Sequence, residues 1–75
     1  MKIELRLFAS LKKYHQDSDK QIDILQTITV EQLLQNKGVP VKEAPIVLVN
    51  GIRVGHKHVL ADGDTVSVFP LIGGG

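Results

Sequence analysis

The residues of this chain best placed to do chemistry have no side chains. The sequence ends "FPLIGGG", closing on Gly73, Gly74 and Gly75. Such a tail adds nothing to a core, but glycine adopts backbone angles closed to other residues and passes close to another surface without a Cβ in the way. Fully extended, residues 71 to 75 reach about 17 Å beyond the last strand, enough to thread a narrow active site and deliver the carboxylate of Gly75 to its floor. A carboxylate is a poor electrophile until adenylation by ATP turns it into an acyl phosphate anhydride. Attack by a sulfur donor then leaves a terminal thiocarboxylate, and attack by a lysine leaves an isopeptide bond. Neither reaction draws a catalytic residue from this chain, because the oriented donors and metal-bound ATP belong to the enzyme that receives the tail. The inert alternative is a frayed terminus.

Other candidates carry less. His56 and His58 in "GHKHV" would share a face of an extended segment, as two metal ligands do, but no third ligand is recognisable nearby, and two histidines in an exposed loop are the better reading. Ser10 and Ser67 have no histidine or aspartate arranged around them in sequence, which leaves hydrolase chemistry unsupported. Lys12, Lys13 and Lys57 read as a solvated face with some scope for meeting acidic residues of a partner. Cysteine is absent, so thiolate nucleophiles, disulfides and cysteine-based metal sites are excluded, and any sulfur chemistry uses a borrowed atom. No metal site and no bound cofactor are expected.

The elements that must carry the tail fit in one domain, residues 1–75, with residues 71–75 as a flexible end, since 75 residues bury too little surface for two cores. The 43% apolar and 23% charged residues are those of an ordinary folded domain, and a net charge of +1 with the signs interspersed gives no basic stripe for nucleic acid or an anionic membrane. The N-terminus alternates like a strand rather than reading as a leader, and no segment approaches the roughly 18 apolar residues that span a bilayer. A cytoplasmic location is expected.

Lys2 to Phe8 alternate, with Ile3, Leu5 and Leu7 on one parity. Residues 9–15 suit a turn or two of helix, "QDSDK" is a polar loop, and residues 20–25 alternate again, forming a hairpin with the first strand. In "TVEQLLQNKG", Thr29 and Gln32 fit a capping box and Gly38 a left-handed C-terminal cap. Pro40 and Pro45 make residues 39–45 irregular. Asn50-Gly51 between two apolar runs signals a type I′ hairpin, and "DGD" at 62 to 64 turns the chain into the last strand. This ββαβββ order predicts an α+β domain whose single main helix packs on one face of a mixed sheet, with the first and last strands adjacent in its middle. Parity then puts Phe8 and Phe69, the two phenylalanines, on the face away from the helix, where they help form an apolar patch leading into the tail, unless twisted strand ends turn them onto the core.

"RLFASLK" at the start, Asn50-Gly51, "DGD" and Phe69-Pro70 before the glycines together resemble the MoaD/ThiS family of ubiquitin-like sulfur carriers, over the whole chain. Within that family the sequence is most similar to the small subunits of molybdopterin synthase. The resemblance implies a ubiquitin-like β-grasp fold, adenylation of Gly75 by an E1-like adenylyltransferase that uses ATP, conversion to a thiocarboxylate with a sulfur donor protein, and transfer to a pterin precursor within a complex with the synthase large subunit. It makes Gly75 the modified residue, Gly73 to Gly75 the threading tail, and Phe8, Phe69, Pro70 and Leu71 the partner-binding stem. The chain is then a non-catalytic subunit. Leu71 stands where the family often has a second proline, which leaves the pathway open, with thiamine synthesis or conjugation to proteins through Gly75 as alternatives. Gly73 replaces an alanine-like residue, which loosens the tail and leaves the carboxylate chemistry intact.

Overall fold

The computed structural model describes residues 1–16 and 20–71. Five strands, β1 (Lys2–Leu7), β2 (Ile22–Asp23), β3 (Ile46–Val49), β4 (Ile52–Val54) and β5 (Thr65–Phe69), form one sheet in the order β2-β1-β5-β3-β4. The terminal strands β1 and β5 are central and parallel, and every other pairing is antiparallel. One α-helix, α1 (Val30–Asn36), lies between the two halves of the sheet in sequence. The fold class expected from the sequence is therefore the one found.

Alternation decides the core. Ile3, Leu5 and Leu7 of β1, Val47 and Val49 of β3, and Val66 and Val68 of β5 point to one face, where they meet Val30, Leu33 and Leu34 of α1 with Leu11, Val39, Ala44 and Leu60. The helix is held at both ends by local chemistry. Thr29 Oγ1 accepts from Gln32 N at 3.2 Å while Gln32 Oε1 accepts from Thr29 N at 2.8 Å, the reciprocal capping box. At the other end Gly38, at φ +74°, lets Val39 N reach back to Leu34 O at 2.9 Å. The loop after β4 closes the first helical turn from outside, with Val30 N donating to His58 O and Glu31 N to His56 O.

Asn50 and Gly51 both have positive φ, +53° and +84°, as a type I′ turn requires. The Asn50 side chain also locks this hairpin to the last strand: its Nδ2 donates to Asp64 Oδ1 at 2.8 Å and its Oδ1 accepts from Thr65 N at 2.9 Å.

Three expectations need correction. Residues 20–25 do not form a full strand. Only Ile22 and Asp23 pair in β2, continued by mutual backbone bonds between Met1 and Ile24, after which Leu25 turns fully into solvent. Residues 39–45 are not wholly irregular, since Pro40 leads a 3₁₀ turn over Val41–Glu43 that brings Ala44 into the core. His56 is half-buried, not part of an exposed histidine pair: its Nε2 donates to Ala44 O at 2.7 Å, so that nitrogen is engaged with the backbone.

Candidate functional site

The outer face of the sheet, opposite α1, is where the sequence placed its two phenylalanines, and the structure places them there. Leu7 pairs with Val68, so the next residues, Phe8 and Phe69, are neighbours on the opposite side of the ladder. Their rings stack with centroids 4.5 Å apart and planes within 10° of parallel. Both are half-buried and neither joins the core cluster, which resolves the alternative left open by parity in favour of the outer face.

The chain keeps Phe8 there by an abrupt change of direction. Phe8 is extended, at φ −117° and ψ 157°, and its N–H still donates to Val68 O at 3.1 Å. Ala9 then takes φ +54°, a left-handed conformation unusual for a residue with a Cβ, and starts a 3₁₀ helix over Ala9–Tyr14 that drops Leu11 into the core. Without that turn Phe8 would be carried along with a continuing strand.

Sequence reasoning missed the rest of this face. Phe69 pairs with Ile46, and Ser67 is flanked by Arg6 on β1 and Leu48 on β3, with Arg53 of β4 beyond Leu48. Ile46 and Leu48 are half-buried and absent from the core, so the outer face carries an apolar stripe of Phe8, Phe69, Ile46 and Leu48 bordered by Arg6 and Arg53. The available signal was "IVLV", a run apolar on both parities, which marks a strand with no purely solvent face. Glu4 Oε2 accepts from Arg6 Nε at 2.6 Å on the same face.

Pro70 ends β5 because it has no N–H to extend the ladder, and Leu71 beyond it is 67% exposed. The chain thus leaves the sheet beside the phenylalanine stack. Gly73, Gly74 and Gly75 lie outside the described residues. Among the described residues no cluster of three or more histidine, aspartate or glutamate side chains is arranged to hold a metal ion, and no helix is long and apolar enough to cross a membrane.

The family model described as Mut7-C ubiquitin matches residues 1–73. Among solved structures, the chain superposes on SAMP1 from Haloferax volcanii with a TM-score of 0.69 at 25% identity, covering 100% of both chains. It superposes on a Pyrococcus furiosus protein provisionally named molybdopterin converting factor, subunit 1, with a TM-score of 0.68 at 23% identity, over 96% of this chain and 99% of that one. A Geobacter metallireducens thiamine biosynthesis protein gives a TM-score of 0.59 at 21% identity, over 100% of this chain and 88% of that one. No curated protein matches the sequence.

Proposed function

This chain belongs to the Mut7-C ubiquitin family, and from that premise we propose that it is a sulfur carrier whose C-terminal Gly75 is adenylated and then converted to a thiocarboxylate. The observation that supports the reading most directly is the continuity of the outer apolar stripe with the foot of the glycine tail: Phe8 stacks on Phe69, and Phe69 leads through Pro70 to exposed Leu71. A partner that grips the stripe fixes the start of the tail within a few ångströms, and four further residues extend about 13 Å from Leu71 into its active site.

In the reaction, the Gly75 carboxylate attacks the α-phosphorus of ATP and pyrophosphate leaves. The terminal sulfur of a donor protein's persulfide then attacks the acyl adenylate and displaces AMP, and a second thiol attacks the donor's inner sulfur, breaking the S–S bond, forming a disulfide on the donor and releasing Gly75 as its thiocarboxylate. The chain's own residues bind and orient; it is substrate and subunit, and the ATP belongs to an E1-like adenylyltransferase. The acceptor of the sulfur is a molybdopterin or tungstopterin precursor held by the synthase large subunit, a choice resting on the whole-chain resemblance to that family's small subunits. The stripe serves both partners in turn, Phe8, Phe69, Pro70 and Leu71 as the stem and Ile46 and Leu48 as its continuation.

The test is to incubate the purified chain with ATP, magnesium, an E1-like enzyme and a sulfur donor, and to measure its intact mass and that of its C-terminal peptide. A gain equal to replacing one oxygen by sulfur at Gly75 is expected. An unchanged mass with an enzyme competent on its own carrier, repeated across candidate cognate enzymes, would overturn the proposal. Lysine adducts of Gly75 that persist under denaturing conditions would point instead to protein conjugation.

A further inference from the structure

Both arginines of the chain stand on the outer face of the sheet, and only one of them is matched from within. Arg6 on β1 donates from Nε to Glu4 Oε2 at 2.6 Å. Arg53 on β4 is exposed, and among the described residues it takes part in no hydrogen bond or ion pair. β4 is the edge strand farthest from β2, four strand spacings or about 19 Å across the sheet. The charges around Lys20, which leads into β2, therefore lie at the other side of the sheet.

Arg53 is directly opposite Leu48 in the β3–β4 ladder, at the end of a row that runs Arg6, Ser67, Leu48, Arg53 across four strands. Directly opposed residues have Cβ atoms about 4.5 to 5.5 Å apart, so a molecule that seats on Leu48 meets the stem of Arg53 and displaces water from its guanidinium. A guanidinium cannot shed its proton to escape burial, and covering it unpaired is costly. Whatever covers Leu48 must therefore bring an acceptor. A carboxylate fits best, because its two oxygens match the planar N–H fork and its charge cancels the one being covered.

We propose that the partner gripping the outer stripe carries an aspartate or glutamate that pairs with Arg53, and that this pair fixes how the partner is turned on the face. Apolar contact is non-directional, whereas a two-pronged ion pair at the border of the stripe adds a direction. Arg6 contributes less to this choice, being already held by Glu4. The inference rests on the carrier reading above and names the partner chemistry at that same surface.

The test follows ATP–pyrophosphate exchange by an E1-like adenylyltransferase against concentration of the full chain, as wild type, Arg53→Lys, Arg53→Met and Arg53→Glu. All four should melt alike, since Arg53 is exposed. Arg53→Met, which keeps the stem and removes the charge, should raise KM for the chain at least about tenfold with kcat unchanged. Arg53→Glu should raise it at least about tenfold further by setting carboxylate against carboxylate, and Arg53→Lys should recover part of the loss. A Met variant that binds as well as wild type or better would mean that no acceptor meets the guanidinium, and Met and Glu variants weakened alike would mean an uncharged acceptor. Either result overturns the proposal. No exchange with the wild-type chain by any candidate enzyme would instead refute the carrier reading, and this inference with it.

Discussion

The two faces of the sheet are built from the same strands by the same alternation, yet they are finished in different ways. On the inner face Leu5, Val66 and Val49 sit in one row across three strands, none more than 6% exposed, and α1 packs in the same core. On the outer face the next row, Arg6, Ser67 and Leu48, is open, and the row beyond holds the stacked phenylalanines and Ile46. The inner face was completed by the chain itself. The outer face keeps half-buried aromatic and aliphatic side chains without a helix over them, an arrangement suited to a surface covered by another molecule.

The sharpest way to break the contrast is to remove the tail and leave both faces whole. Deletion of Gly74 and Gly75 should abolish mass transfer to the C-terminus completely and leave the melting temperature unchanged; surviving biological activity would refute every carrier reading. Next in size is Leu33→Ala on the inner side. Losing a fully buried leucine should cost about 2 to 5 kcal/mol, most of the stability of so small a domain, and appear in thermal melts as a large fall or outright unfolding.

Phe69→Ala tests the outer face in the opposite sense. Binding to the activating enzyme or synthase partner should weaken by roughly 1 to 4 kcal/mol by calorimetry, while stability falls far less than for Leu33→Ala, because the lost ring contact is worth about 0.5 to 1.5 kcal/mol. A fall in melting temperature matching that of Leu33→Ala, with partner affinity intact, would erase the distinction between the faces. The smallest effect is expected from Glu4→Gln. Its pair with Arg6 is solvent-exposed, so denaturant unfolding should shift by less than about 1 kcal/mol.

Much of this molecule was legible because its signals are local. The capping box at Thr29 and Gln32, the left-handed Gly38 and the Asn50-Gly51 hairpin each depend on a few adjacent residues, and each stands where the sequence put it. The short reach of β2 was not legible: Ile22 and Ile24 continue the alternation, but how far the pairing runs depends on the antiparallel register of Ile22 and Asp23 with Ile3 and Lys2, which lie elsewhere in the chain. His56 looked like half of an exposed pair because its bond to Ala44 O joins segments that only tertiary structure brings together.

The sequence by itself determined the parity of β1 and β5, the position of the helix and its caps, and the turns. The tertiary structure decided that Phe8 and Phe69 meet as a stack, that Ile46 and Leu48 extend it, and that the edge of β1 beyond Ile3 has no described partner strand. The physical reason is that alternation assigns a side chain to a face from its neighbours alone, whereas adjacency across a sheet depends on the register between strands from opposite ends of the chain, which is settled only when the shared core closes.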